Sequence, residues 1–168
     1  MAEAFHLSFG LPVVTVRPFN TFGPRQSARA VIPTIITQCL KGETVRLGNL
    51  HPTRDLNYVA DTVEGFLRAA AAPKADGGTF NLGSGREISV GDLAKLIGKL
   101  VGSPVNIATD ADRLRPAGSE VERLLADNTK ARDVLGWSSK VSLEEGLAKT
   151  IEWFRTNQGL YRAGIYTV

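Results

Sequence analysis

The run Val13-Val14-Thr15-Val16 predicts a short buried β-strand near the start of the chain, and a polar loop follows it directly. That loop, residues 17–24, reads R-P-F-N-T-F-G-P and is shaped by glycine and proline. Strands that are apolar on both faces are typical of parallel sheets covered by helices. In open α/β sheets, ligands bind beyond the carboxyl ends of the strands, so Arg17 and Asn20 are candidate ligand contacts. The alternative is a strand followed by an ordinary Gly-Pro turn.

The charge around this loop favours an anionic ligand. Residues 11–54 contain six Lys or Arg and one acidic residue, and phosphate is the obvious anion for such an excess. The net charge of the chain is only +3, and its basic residues are not interleaved with aromatic ones. We therefore do not expect nucleic acid binding.

Helical and strand patterns alternate along the chain. Apolar spacing and capping signals predict helices over residues 2–9, 31–41 and 59–72, one opened by Ser89-x-x-Asp92, one capped by Asn128 and one capped by Ser142-x-x-Glu145. Short strands are predicted at 13–18, 44–47, 56–59, 79–82 and 105–108. This alternation indicates an α/β layer architecture. Strands so few and so short suggest a part that leans on another domain.

Composition excludes several classes of protein. The 168 residues, 43% apolar and 22% charged, fit one soluble globular domain. Cys39 lies in an apolar helical run and is expected to be a buried, inert thiol. With only His6 and His51 beside it, no metal site is expected. Neither a signal peptide nor a membrane-length apolar stretch is present, so a cytoplasmic protein without membrane contact is the expectation.

A second candidate segment, residues 47–55, reads L-G-N-L-H-P-T-R-D. Its Gly-Asn turn permits close approach of the backbone. Arg54 can fork onto a phosphate, and Asp55 beside it can orient the guanidinium. The alternative is a hairpin-like turn with a surface ion pair.

Two further segments could bind a nucleotide. In residues 113–120, Arg113 and Arg115 suit a diphosphate, and Glu120 could accept from a ribose hydroxyl or a base N–H; the alternative is a solvated charged loop. Residues 81–85, N-L-G-S-G, resemble a phosphate cradle. A lone G-x-G is a weak signal, and turning a strand toward the next helix is its expected task.

Catalytic groups are not visible in this sequence. It contains no Gly-x-Gly-x-x-Gly after a strand, and none of Tyr58, Tyr161 and Tyr166 has a lysine four residues on. No acid/base pair with a nucleophile is evident either. We therefore predict ligand-binding parts and no catalytic residue.

Taken together, the segments resemble the C-terminal half of an extended short-chain dehydrogenase/reductase. The resemblance follows the chain, in order, to about residue 154. Its strings are RPFNTFGP at 17–24, GNL at 48–50 with RD at 54–55, Asp61, NLGSG at 81–85, RP at 115–116 with SEV at 119–121, DNTKA at 127–131, LGW at 135–137 and SLEEG at 142–146.

Within that family, the strings are most similar to nucleotide-sugar 4,6-dehydratases of the GDP-mannose type, and nucleotide-sugar 4-epimerases share the general pattern. The resemblance implies an NAD(P)-dependent cycle in the complete enzyme. The catalytic Tyr and Lys and the cofactor glycine loop of such enzymes lie upstream of the point that matches Met1. Residues 1–158 are then expected to be a nucleotide-sugar-binding, Rossmann-type portion without the dinucleotide-binding half, inactive by itself, and residues 159–168 a loosely ordered tail.

The resemblance also implies site residues. Asn20 would contact the sugar diphosphate, Arg54 and Arg115 would hold phosphates, and Glu120 would contact the nucleoside. The backbone near Val31 and Ile32 and the strand end Leu47, Gly48 and Asn49 would line the base pocket. Pro18 and Phe19 would lie where the nicotinamide end of the cofactor passes.

A GDP-sugar is the favoured ligand, and we expect no NAD binding by this chain alone. The alternative function is a non-catalytic binding module. Apolar surface around residues 13–19 and on the helix at 2–9 would then be exposed. Such a module could self-associate or complement a separate dinucleotide-binding domain.

Overall fold

A computed structural model of the protein describes residues 1–114 and 117–160. Its six helices in that range are α1 (Ala2–Phe9), α2 (Val31–Leu40), α3 (Val59–Ala71), α4 (Val90–Val101), α5 (Thr129–Leu135) and α6 (Leu143–Thr156). Not one helix in this part of the chain has the length and apolar character needed to span a membrane. The predicted tail falls largely at 161–168, outside the described residues.

Eight short strands accompany the helices in the described part of the chain. They are β1 (Thr15–Pro18), β2 (Asn20–Phe22), β3 (Val45–Leu47), β4 (Thr53–Tyr58), β5 (Thr79–Leu82), β6 (Glu87–Ser89), β7 (Ile107–Thr109) and β8 (Arg123–Leu124). β1 pairs with β5, β3 with β7 and β4 with β8, all parallel, while β2, β4 and β6 are joined in that order. Parallel pairs between alternating helices confirm the α/β architecture.

The chain divides into two compact units. Unit 1 comprises Met1–Thr21, Asp55–Glu87 and Leu125–Ser142, and unit 2 comprises Phe22–Arg54, Ile88–Leu124 and the described part of Leu143–Val168.

The core of unit 1 forms around the β1–β5 pair. Phe80 and Leu82 of β5 are fully buried with Trp137, and Val14 and Val16 pack against this cluster. The Trp137 indole N–H donates to the backbone carbonyl of Asp61 at 2.9 Å, which satisfies the polar atom of this large buried ring.

Helix α3 packs on this core through its small and polar face. A Cβ at Gly65 would lie 2.3 Å from Leu82 Cδ1, so only glycine allows so close an approach. The apolar stripe that predicts this helix therefore points the other way, and Val63, Phe66 and Leu67 are exposed. The residues that it buries are Asp61, Thr62, Gly65 and Ala69.

The core of unit 2 is formed by three helices beside the β3–β7 pair. Helices α2, α4 and α6 pack on one another. Their fully buried side chains are Ile32, Ile35, Ile36, Leu93, Ile97, Leu147, Ile151 and Phe154. The 3.6-residue spacing of these apolar positions confirms the predicted inward faces of α4 and α6.

Capping signals were right at one predicted helix start and wrong at another. The Ser89 hydroxyl accepts from the Asp92 N–H at 3.0 Å, as a capping box requires. Asn128 makes no side-chain cap and instead donates to the Gly83 carbonyl at 2.8 Å. Asp127 accepts from the Thr129 N–H, and this bond holds the pKa of Asp127 below its ordinary value.

The expected apolar surface is present on α1 but not throughout β1. Helix α1 buries no residue, and Leu7 and Phe9 are 76% and 72% exposed. Val14 and Val16, by contrast, are half-buried against the unit 1 core.

Candidate functional site

Arg54 and Glu120 form an ion pair in unit 2. An Arg54 Nη2–H donates to Glu120 Oε1 at 3.0 Å, and the two side chains are only 18% and 11% exposed. The pairing of β4 with β8 explains the meeting, since Thr53 and Arg54 run beside Arg123 and Leu124 and Glu120 shortly precedes β8. Arg54 Nη1 also donates to the Thr53 carbonyl at 2.8 Å. These bonds use two of the five guanidinium N–H donors, and the other three have no acceptor among the described residues.

Asp55 does not orient Arg54, contrary to the sequence prediction. The side chains of successive residues in a strand point to opposite faces, so the Asp55 side chain lies on the face of β4 opposite to that of Arg54. Asp55 is fully buried in unit 1. The acid that holds Arg54 is Glu120, 66 residues further along the chain.

The Asp55 carboxylate fills the glycine-rich turn at 83–85. Oδ1 accepts from the Ser84 N–H and hydroxyl, both at 2.7 Å, and Oδ2 accepts from the Gly85 N–H at 2.9 Å and the Ala126 N–H at 3.1 Å. A Cβ at Gly83 would lie 2.9 Å from Oδ2, so this glycine makes room for the carboxylate. An internal anion therefore occupies the turn in place of a phosphate, and the segment leads from β5 to β6 and α4, which is the task that the sequence predicted for it.

The Leu47–Asn49 segment ends β3 against the turn that follows β7. The Leu47 carbonyl accepts from the Asp110 N–H at 2.7 Å. Gly48 is approached by protein backbone, since a Cβ there would lie 2.3 Å from the Arg113 carbonyl oxygen. Asn49 Oδ1 accepts from the His51 N–H at 3.2 Å, which closes a local turn.

Arg113 is held by Asp110, an acid that the sequence reasoning missed. Its Nε–H donates to Asp110 Oδ2 at 3.2 Å, with both side chains about one-fifth exposed. The i,i+3 spacing of acid and arginine was the available signal. Arg113 thus helps to hold the turn that packs against Gly48.

Val31 and Ile32 begin helix α2. The cap residue, Ala30, provides no side-chain acceptor, and the first N–H groups of a helix have no acceptor within it. Ile32 is buried in the core and Val31 is half-buried. The part in ligand binding that the resemblance implies for their backbone stays a prediction.

In unit 1, the polar side chains at the end of β1 are exposed. Arg17 and Asn20 form no side-chain hydrogen bond with any described residue. Pro18 is exposed and Phe19 is half-buried. This arrangement leaves the Asn20 amide open to a ligand.

The structure brings Arg54 together with Glu120, and Leu47 and Gly48 together with residues 110–113. It places Asn20, Pro18 and Phe19 in unit 1 and the other described site residues in unit 2. Arg115 lies outside the described residues.

Comparison with known proteins gives a consistent picture. Residues 1–150 match the family model described as GDP-mannose 4,6 dehydratase. A UDP-glucose 4-epimerase of Mycolicibacterium smegmatis is 38% identical over 144 residues, which are 83% of this chain and 44% of that protein. A dTDP-glucose 4,6-dehydratase of Xanthomonas campestris is 31% identical over 171 residues, 94% of this chain and 47% of that protein.

A solved structure agrees in fold. UDP-glucuronic acid 4-epimerase from Bacillus cereus, in complex with UDP-glucuronic acid and NAD, superposes with a TM-score of 0.83 at 27% identity and covers 95% of this chain and 49% of that one. The chain spans less than half the length of these curated relatives, the share that a C-terminal portion would give.

Proposed function

Because the chain belongs to the GDP-mannose 4,6-dehydratase family of extended short-chain dehydrogenases/reductases, we propose that residues 1–158 bind the nucleotide sugar of an NAD(P)-dependent 4,6-dehydratase. The observation that carries this proposal is the half-enclosed Arg54–Glu120 pair. A guanidinium with spare donors matches a diphosphate, and a carboxylate beside it matches the hydroxyls of the adjoining ribose.

The pair divides the work of binding. Arg54 donates to phosphate oxygens while Glu120 keeps its orientation and accepts from the nucleoside. Removal of either partner would leave the other as a buried, unpaired charge. The pair is therefore pre-organised before the ligand arrives, which lowers the entropic cost of binding.

The base would lie against backbone. The first-turn N–H groups of Val31 and Ile32, which have no acceptor within the helix, and the strand end Leu47, Gly48 and Asn49 would supply donors and apolar surface. Asn20 would donate its amide to the sugar diphosphate, and Arg115 would supply a second guanidinium; both assignments rest on the family resemblance.

NAD(P) would supply the hydride transfers of the complete enzyme. In this chain, Pro18 and Phe19 offer surface only for its nicotinamide end. The turn at 83–85 cannot receive its diphosphate, because the Asp55 carboxylate already accepts the Ser84 and Gly85 N–H groups. The 168 residues contain no Tyr-x-x-x-Lys pair, so we propose ligand binding, and no bond-breaking step, for this portion.

A 4-epimerase is the second candidate. The family model favours a 4,6-dehydratase, whereas the 38% identical relative is an epimerase. The two reactions share the ligand class and the first hydride transfer, and they differ in where the hydride returns. Both readings require the same diphosphate contacts.

Calorimetry with GDP-mannose, UDP-glucose and dTDP-glucose tests the proposal. We expect one of them to bind, and we expect Arg54→Gln to weaken that binding at least about tenfold, since a hydrogen bond to a charged group contributes roughly 1.5–3 kcal/mol. Glutamine keeps one donor for Glu120, so the partner is not left unpaired. Free glucose or mannose should not bind.

Arg132→Gln is the matched control. Arg132 also pairs with a carboxylate, that of Asp133, but both side chains are about 60% exposed. Its replacement should leave affinity unchanged. If none of the three nucleotide sugars bound, or if both variants lost affinity equally, the proposed function would be wrong.

A further inference from the structure

A series of hydrogen bonds in unit 1, buried at Asn57 and part-buried at Thr21, ends at the backbone of Phe19. Asn57 Nδ2 donates to Thr62 Oγ1 at 2.8 Å, Thr62 Oγ1 lies 3.0 Å from Thr21 Oγ1, and the Thr21 hydroxyl donates to the Phe19 carbonyl at 3.1 Å. The three side chains come from β4, α3 and β2. Helix α3 is thereby connected to the backbone that carries Asn20.

Donors and acceptors in this series of hydrogen bonds can be assigned in only one way. Each threonine hydroxyl has a single hydrogen. Since Thr21 gives its hydrogen to Phe19, it can only accept from Thr62, and Thr62 can only accept from the Asn57 amide. The hydroxyl of Thr62 thus links the Asn57 amide to Thr21.

This series of hydrogen bonds helps to fix the backbone of Phe19, the residue before Asn20. The Phe19 carbonyl accepts from Thr21, and the Phe19 N–H donates to the Leu82 carbonyl at 2.9 Å. Both polar backbone groups of Phe19 are therefore held by unit 1. Asn20, the next residue, is exposed, so its amide projects from a backbone that is anchored directly before it.

An apolar core would not need this arrangement. Asn57 is fully buried and Thr62 is 7% exposed, and Asn57 Oδ1 has no hydrogen-bond partner among the described residues. A buried polar atom without a partner costs stability. An aliphatic side chain of similar size would avoid that cost, so the amide is better explained by the bond that it donates.

We propose that Thr62, supported by Asn57, is a positioning residue that fixes the Phe19–Asn20 backbone and so aims the Asn20 amide at the sugar diphosphate. The proposal rests on the proposed function for its ligand. The anchoring of Phe19 itself does not depend on any ligand and can be measured without one.

Thr62→Val tests the proposal because it removes the hydroxyl and keeps the shape. We expect amide hydrogen exchange in residues 17–22 of the ligand-free chain to accelerate several-fold. Affinity for the nucleotide sugar that the wild-type chain binds should fall about fivefold, the effect of one lost hydrogen bond. Thr62→Ser, which keeps the hydroxyl, should restore both values to within about twofold of wild type.

Thr150→Val is the matched control. Thr150 is also a buried helical threonine, but its hydroxyl donates to the Gly146 carbonyl in unit 2. Its replacement should change thermal stability and leave exchange in 17–22 and affinity unaltered. If Thr62→Val and Thr150→Val changed exchange in 17–22 and affinity alike, the loss would be merely structural and the proposal would be overturned.

The outcomes separate the two proposals. If the wild-type chain binds and Thr62→Val binds equally well, or exchanges in 17–22 like wild type, the positioning role is wrong and the proposed function stands. If the wild-type chain binds no nucleotide sugar, the proposed function fails, and the aiming role of Thr62 fails with it.

Discussion

Replacement of Asp55 by asparagine should destabilise unit 1 severely, although the two side chains have nearly the same shape. Four donors converge on the buried carboxylate: two from Ser84 on Oδ1, and the Gly85 and Ala126 N–H groups on Oδ2. The introduced amide must turn its NH₂ toward one of these pairs. If the NH₂ took the position of Oδ2, it would face the Gly85 and Ala126 N–H groups, which can donate but cannot accept a hydrogen bond.

The less costly orientation places the NH₂ beside Ser84. The Ser84 hydroxyl can then accept and donate instead to the Arg86 carbonyl, which already lies 3.2 Å away. The Ser84 N–H, however, loses its acceptor, at a cost of roughly 1–3 kcal/mol, and the remaining bonds lose the assistance of the charge. We expect a total loss of about 3 kcal/mol, a large part of the roughly 5–15 kcal/mol that stabilises a domain.

Urea denaturation measures this loss. With an m value of about 2 kcal/mol/M, the midpoint should fall by roughly 1.5 M. Asp133→Asn is the control, since this carboxylate is 59% exposed and pairs with the surface residue Arg132, a contact that contributes about 0–1 kcal/mol. Should Asp55→Asn shift the midpoint no more than Asp133→Asn, the reasoning from the four hydrogen bonds would be refuted.

Two further predictions concern titrating groups. Burial raises the pKa of Cys39 from 9.0 to about 11, so the neutral thiol should resist iodoacetamide at pH 8 until urea unfolds the chain. The free energy of unfolding of the wild-type chain should fall as pH rises from 9 toward 11, because the unfolded chain loses the thiol proton first. Cys39→Ala should lack this fall. Rapid alkylation of the folded chain would contradict this reading. The bond from Lys95, and next that from Ser89, lowers the pKa of Asp92 below 3.8, so its stabilising contribution is present above pH 3.8 and is lost as pH falls through the lowered pKa. An NMR titration should place the Asp92 midpoint below 3.8, and Lys95→Ala should raise it; a midpoint at or above 3.8 in the wild-type chain would disprove the assigned bonds.

The sequence was sufficient where local signals and packing agree. The apolar spacing of α4 and α6 matches the faces that unit 2 buries, and the Ser89 capping box starts α4 as predicted. At such positions, local propensity and tertiary contacts favour the same structure.

The sequence was misleading where polar groups are buried. Strand β4 spans Thr53–Tyr58, but the sequence predicted a strand only at 56–59 and offered a hairpin-like turn over 47–55 as one alternative. Asp55 and Asn57 of this strand are fully buried, and groups distant in the sequence satisfy the Asp55 carboxylate. Hydropathy cannot detect partners 29 or 71 residues away.

Helix α3 shows the same limit in another form. Its periodicity is correct, but the close approach allowed by Gly65 selects the small, polar face for the core. The candidate site was also only partly accessible from sequence: Arg54 and Glu120 were each singled out, but their pairing depends on the register of β4 with β8, which no local pattern encodes.

The carboxylate inside the 83–85 turn has a consequence for how this fold responds to solutes. A phosphate held in a glycine-rich turn comes and goes with its concentration, whereas a tethered anion is present at a fixed and high effective concentration. Mass action therefore cannot empty the turn while unit 1 remains folded. This loop behaves as a permanently ligated one, and its order is independent of the salts and metabolites around it.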